Sequence, residues 1–166
     1  YLFEAMTMLP ENVTLTIVDD GPPKKMTAAD MIKKFNLSHR VKFTGKLSYE
    51  ALVSLYSRKT ILVMSSLFEG FGLPAVEAMA CKTPVVVTTA GSLKEVVTED
   101  CGILVPPKDP IALKDAILKL LSDSELRKKM GENGRRRAVE NFSWPVAAKN
   151  TLKVYEDVIR EFRRKR

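Results

Sequence analysis

Five short runs rich in β-branched residues recur along this chain: Val13 to Val18, Val41-Lys42-Phe43-Thr44, Thr60 to Ser65, Pro84 to Thr88 and Ile103-Leu104-Val105. Segments of helical period separate them. Strands alternating with helices are the signature of a parallel sheet with crossover helices, so the chain reads as α/β. A helix is expected at residues 1 to 9, with no strand before it. Others are expected from a Thr27 cap to about Phe35, from a Ser48 cap with Leu52, Leu55 and Tyr56 on one face, from Pro74, and briefly around Leu93 to Val97. After Pro106-Pro107 the pattern becomes wholly helical, in segments of about 109 to 122, 123 to 141 and 144 to 162.

With 166 residues, 45% of them hydrophobic and 28% charged, the chain has material for one domain, residues 1 to 166, around one core. No apolar run approaches the roughly 20 residues of a membrane span. The opening Tyr1-Leu2-Phe3 has neither an initiator Met nor a signal-peptide pattern, and reads as the start of a cut piece. Cys81 and Cys101 lie beside expected strands in apolar settings and read as reduced and structural. The net charge of +7 is concentrated in the C-terminal segment, at Arg127-Lys128-Lys129, Arg135-Arg136-Arg137 and Arg163-Arg164-Lys165-Arg166. Glutamates interleave with the first two clusters, which read as solvated helix faces. The uncompensated tail suggests an anionic partner, and a cytoplasmic protein held peripherally on the anionic inner face of the membrane fits it. Nucleic acid is a poor candidate, because no zinc-finger spacing and no basic stretch interleaved with aromatics occurs.

The chemistry concentrates in residues 65 to 80, SSLFEGFGLPAVEAMA. A strand ends in small polar residues and a helix resumes at Pro74, a residue suited to the first helical position. Ligands of open α/β sheets bind at the carboxyl ends of strands, where a helix N-terminus offers free N–H groups to anions. Gly70 and Gly72 let a phosphate approach the backbone. Glu69 precedes the turn and Glu77 is expected in the first turn of the helix. A carboxylate there would repel a phosphate unless it faced hydroxyl groups, from which it can accept two hydrogen bonds of a vicinal diol. Singly, each acid reads as a turn or first-turn residue; together they spell diol, phosphate, diol, the outline of a nucleotide sugar.

Glu69-Gly70-Phe71-Gly72-Leu73-Pro74-Ala75-Val76-Glu77 resembles the E-x7-E signature of the family-four retaining GT-B glycosyltransferases, with the Glu-Ala-Met-Ala continuation and the Thr83-Pro84-Val85-Val86-Val87 strand after it. Val41-Lys42-Phe43-Thr44-Gly45 is similar to the family's V-x-F-x-G element. Gly91 to Val97, Gly102 to Pro106 and Asn141-Phe142-Ser143-Trp144 are similar to its later elements, so the likeness covers nearly the whole chain. It implies a Rossmann-like, doubly wound parallel sheet with a C-terminal helical tail, the donor-nucleotide-binding C-terminal domain of such an enzyme with its first strand absent. It also implies that Glu69 is the catalytic residue, binding hydroxyls of the donor sugar, and that Gly70, Phe71, Gly72 and Leu73 form the donor-binding phosphate turn, with the amides of Gly72 and Leu73 on the distal phosphate. Glu77 would then bind the ribose, and the backbone of Gly45 and Lys46 would lie against the nucleobase.

The resemblance implies no metal and no cofactor, with a UDP-, GDP- or ADP-sugar as substrate and a sugar or lipid acceptor. Asp19 and Lys82 stand where the family usually has glycine. Asp19-Asp20 beside Gly21-Pro22-Pro23 reads as turn chemistry rather than a metal pair, and His39 as a solvated loop residue rather than a base. The family's Arg and Lys for the leaving diphosphate, on the first strand and loop, and its N-terminal acceptor domain have no counterpart here. The isolated chain is accordingly expected to be inactive and to have a gap between Val13–Val18 and Thr60–Ser65. A different reading is a non-catalytic nucleotide-sugar-binding subunit completed by a partner chain. A nucleotide-sugar epimerase is disfavoured because E-x7-E is not its signature, and a dinucleotide oxidoreductase because no G-x-G-x-x-G follows a strand.

Overall fold

The computed structural model describes residues 1–18 and 28–165. In chain order it contains α1 (Leu2–Thr7), β1 (Leu15–Ile17), α2 (Ala28–Lys34), β2 (Val41–Phe43), α3 (Tyr49–Arg58), β3 (Leu62–Met64) and α4 (Leu73–Ala80). There follow β4 (Val85–Thr88), α5 (Leu93–Val96), β5 (Gly102–Val105), α6 (Pro110–Ser122), α7 (Ser124–Phe142) and α8 (Trp144–Arg164). All five expected strands are present; the first four are shorter than expected by one to three residues, and the last begins one residue earlier, at Gly102. The Thr27 cap and the Asp19 to Pro23 turn lie outside the described residues.

Local chemistry sets the helix starts. Ser48 Oγ accepts from the Ala51 amide at 3.2 Å, Asp109 Oδ1 from Ala112 at 2.9 Å and Asp123 Oδ1 from Leu126 at 2.8 Å. Each satisfies an amide that has no partner inside its helix.

Strand β4 is the centre of the architecture. It pairs in parallel with β3 on one side and β5 on the other, with Val86 opposite Val63 and Ile103. Val85, Val86 and Val87 are all fully buried. Val86 joins a core with Ala5 and Met6 of α1, Ile32 of α2 and Leu113, Ile117 and Leu120 of α6. Val85 and Val87 point the other way, into a core with Tyr56 of α3, Ala75, Ala78 and Met79 of α4, Leu93 and Val96 of α5, and Ala138 of α7. Period-two alternation on a sheet covered on both faces explains the continuous apolar run.

The sheet is interrupted where the sequence led us to expect a gap. Strands β1 and β2 pair with each other, Leu15 opposite Val41, and β3-β4-β5 form a separate sheet. Strands β1 and β3 thus do not pair directly. A cavity of about 700 Å³ lies between them, lined by Leu15 and Thr16 on one side, Ile61 and Val63 on the other, and Met6 and Ile117 from the flanking helices.

Several local readings need correction. Gly72, not Pro74, opens α4: Gly72 is the N-cap and Pro74 the second helical residue. Glu77 consequently falls in the second turn rather than the first, because the left-handed Gly72 lets the helix begin one residue earlier. The Arg135 to Arg137 cluster is more than a solvated face. Arg135 donates to the Ala80 carbonyl at the end of α4, and Arg137 donates to the carbonyls of Val96 at 2.8 Å and Glu95 at 2.6 Å. Helix C-terminal carbonyls carry partial negative charge and attract such cations. His39 lies in an exposed connection, where its Nε2 meets Glu11 Oε2 at 3.0 Å. That contact holds the Glu11 carboxyl below its usual range, chiefly through the hydrogen bond. Both cysteines are free thiols, Cys101 fully buried.

Candidate functional site

The connection from β3 to α4 is held in place from β4. Thr88, at the end of β4, donates its hydroxyl to the Ser66 carbonyl at 2.6 Å. The next turn brings Ser92 against Glu69, whose carbonyl accepts from the Ser92 amide at 3.2 Å. Gly91 sits between them at φ +56°, so close that a β-carbon there would lie 2.1 Å from the Glu69 carbonyl oxygen. Only glycine permits that approach. The backbone of Glu69 is therefore set by a loop more than 20 residues downstream.

Gly72 completes the turn at φ +92° and is buried; a β-carbon on it would lie 2.6 Å from Leu93 Cδ2. The Gly72 carbonyl accepts from the Ala75 amide at 2.9 Å and the Val76 amide at 3.3 Å. No side chain caps this helix. The amides of Gly72 and Leu73 have no protein acceptor among the described residues. Gly70 has open space where a β-carbon would be, with nothing within 4 Å.

The acidic side chains differ in their surroundings. The half-buried Glu69 carboxylate makes no hydrogen bond or ion pair within the described residues. Glu77 is also half-buried, and its Oε2 accepts from the Tyr56 hydroxyl at 3.2 Å. Burial pushes the Tyr56 phenol up, and the neighbouring Glu77 charge pushes it further. Phe71, placed in the phosphate turn by the sequence, packs its ring edge-on to Phe142 at 5.7 Å and 82°, and Arg137 stands over the same Phe142 ring. Its role in the structure is thus to clamp the turn onto the end of α7.

Glu69, Gly70, Phe71, Gly72, Leu73 and Glu77 are brought together on one strand-to-helix connection. Gly45 and Lys46 follow β2 in the other sheet, Gly45 at φ +68° in a turn closed by Thr44. Both groups stand at carboxyl ends of parallel strands. Gly91, Ser92 and Tyr56 went unassigned from sequence. The signal available for Gly91 was its place after strand β4, by the same rule that located the Glu69 turn; none pointed to Tyr56. Among the described residues no three of His, Cys, Asp and Glu cluster closely enough to hold a metal ion. Asp19-Asp20 lies outside those residues.

Chemically, the connection offers two unpaired amides to an anion and two carboxylates to hydroxyl groups. Residues 1–137 match the family described as glycosyl transferases group 1. An MMP alpha-(1->4)-mannosyltransferase of Mycolicibacterium hassiacum is 42% identical over 142 residues, which is 84% of this chain and 33% of that protein. Sucrose-phosphate synthase from Thermosynechococcus elongatus superposes with a TM-score of 0.86 at 35% identity, covering 96% of this chain and 42% of that one. Anabaena HepE, solved in complex with UDP-glucose, superposes with a TM-score of 0.85 at 25% identity, covering 94% and 44% of the two chains. The chain spans well under half the length of these relatives, in the position of their GT-B C-terminal domain. By this match across most of its length, the chain belongs to the glycosyl transferases group 1 family.

Proposed function

We propose that this chain is the donor-binding half of a retaining glycosyltransferase that moves a sugar from a nucleotide-sugar to an acceptor. The observation that carries the reading is the Glu69 turn. A carboxylate without a partner and two amides without acceptors among the described residues share one connection, which the end of β4 and the turn after it hydrogen-bond in place. In this reading the Gly72 and Leu73 amides receive the distal phosphate, Glu69 the hydroxyls of the sugar and Glu77 the ribose. Gly70 leaves room for the diphosphate, and Gly45 and Lys46 lie on the nucleobase side. Fixed amides aimed at charge that develops on the leaving diphosphate stabilise the transition state without reorganisation. The reading needs no metal or cofactor. In this reading the cations for the leaving diphosphate belong to the first strand and loop of this same domain, and the acceptor site to a further domain of the protein. That HepE was solved with UDP-glucose supports a nucleotide-sugar donor here.

The test is a pair of substitutions in the full-length protein. Glu77→Gln weakens binding of the donor and of the nucleoside diphosphate alike, by about 1.5–3 kcal/mol for a charge-assisted set of hydrogen bonds. Glu69→Gln lowers turnover and leaves nucleoside diphosphate affinity near wild type. Equal loss of diphosphate affinity in both variants overturns the assignment.

A further inference from the structure

Tyr56 stands apart from the Glu69 turn in sequence yet reaches into it. The residue is only 9% exposed and belongs to the core with Ala75, Ala78 and Met79 of α4. Its backbone is pinned as well, because the Thr83 hydroxyl donates to the Tyr56 carbonyl at 2.7 Å. Ring and backbone together fix where the phenolic oxygen sits, and that oxygen donates to Glu77 Oε2 at 3.2 Å.

We propose that Tyr56 is the positioning residue for Glu77, holding its carboxylate in the one orientation that accepts both hydroxyls of a ribose and so selecting ribo- over 2′-deoxyribonucleotides. This rests on the reading of Glu77 as the ribose acceptor. An ionised carboxylate has about four lone-pair sites on its two oxygens and no proton to donate. The phenol takes one site on Oε2. Sites on both oxygens remain for a vicinal diol, and the side chain no longer swings among its rotamers. A free glutamate would lose that rotamer freedom on binding, a cost that pre-organisation removes. The phenol is suited to the task because a tyrosine hydroxyl is protonated, hence a donor, throughout the neutral range, and burial and the adjacent carboxylate push its titration further up. The ribose 2′-hydroxyl is the group whose loss leaves a carboxylate oxygen without its donor, and sites built to bind a hydroxyl discriminate strongly against its absence.

The experiment uses the full-length protein and isothermal titration. UDP, GDP and ADP are tried first, and the one that binds is compared with its 2′-deoxy form on wild type, Tyr56→Phe, Glu77→Gln and the double variant. Tyr56→Phe keeps the ring, and unfolding curves confirm that the core is intact. The expected result is a loss of about five- to tenfold in ribonucleotide affinity for Tyr56→Phe, the scale of one hydrogen bond. The 2′-deoxy form loses little, so the discrimination narrows. Adding Tyr56→Phe to Glu77→Gln causes no further narrowing, because the phenol acts through the carboxylate. If Glu77→Gln abolishes the discrimination while Tyr56→Phe leaves it whole, the positioning role is refuted and the ribose reading stands. If Glu77→Gln changes neither affinity nor discrimination, or no nucleotide binds, the ribose reading itself fails and takes this inference with it.

Discussion

Replacing Gly91 by alanine tests whether the β4 loop sets the position of Glu69. The added methyl would meet the Glu69 carbonyl oxygen at 2.1 Å and the carbonyl carbon at 3.1 Å. Unstrained carbon contacts lie at about 3.5–4 Å, so one of the two loops must move by about 1 Å or more. Alanine at φ +56° adds about 1–2 kcal/mol of left-handed backbone strain. The displacement also breaks the bond from the Ser92 amide to the Glu69 carbonyl, worth about 1 kcal/mol. The reduced entropy of the unfolded alanine chain offsets about 0.4–1 kcal/mol. The net loss is about 2 kcal/mol, a fall of about 4–8 °C in Tm for a domain of this size. Moving a group in contact with substrate by about 1 Å costs on the order of 100-fold in turnover. Gly70→Ala is the control: its β-carbon meets nothing within 4 Å and its φ is not positive, so stability holds or rises slightly. On the proposed reading donor affinity nonetheless falls, because the methyl would occupy space that this reading gives to the diphosphate. The assays are thermal unfolding and sugar transfer by the full-length protein. A Gly91→Ala protein with wild-type Tm and turnover would refute the coupling between the two loops.

Lys82 adopts φ +63° and its Nζ meets Glu132 at 2.9 Å; Lys82→Gly and Lys82→Ala both lose that exposed pair, but only glycine relieves the backbone. The glycine variant is therefore expected to be more stable than the alanine variant by about 1 kcal/mol in chemical denaturation, and the reverse order would remove the strain argument. The slot between β1 and β3 leaves two sheet edges open, so the 166-residue chain alone is expected to self-associate or to unfold early, and a chain carrying about 25 upstream residues to be a stable monomer. Equal stability and a monomeric short chain in sedimentation would count against it. Removing Arg163 to Arg166 is expected to weaken sedimentation with phosphatidylserine vesicles, at about 1 kcal/mol per base near the surface, and binding indifferent to both the deletion and added salt would discard the membrane role. Helix α8 has no buried residue and exposes Leu152, Tyr155, Ile159 and Phe162, which would lie against such a surface. No described helix is long and apolar enough to cross a membrane.

The sequence by itself determined what depends on neighbours along the chain. The strands at Val85–Thr88 and Gly102–Val105, the cap at Ser48, the approximate helix starts at 109 and 123 and the stop at Pro106-Pro107 are written in local periodicity and in side chains that reach three residues. The Glu69 turn was legible for the same reason, since a strand end, two glycines and a helix start follow one another. Its finer register was not: glycine tolerates either sign of φ, and only the fold showed that Gly72 takes +92° and shifts Glu77 into the second turn. Tertiary structure alone decided the rest. The Gly91 approach to Glu69, the reach of Tyr56 to Glu77 across 21 positions and the grip of Arg137 on the α5 carbonyls 41 and 42 positions away all follow from which strands lie side by side. Strand order is a property of packing, in which Val86 and its neighbours Val85 and Val87 face different cores, and a residue's local sequence carries no record of what the opposite element will bring.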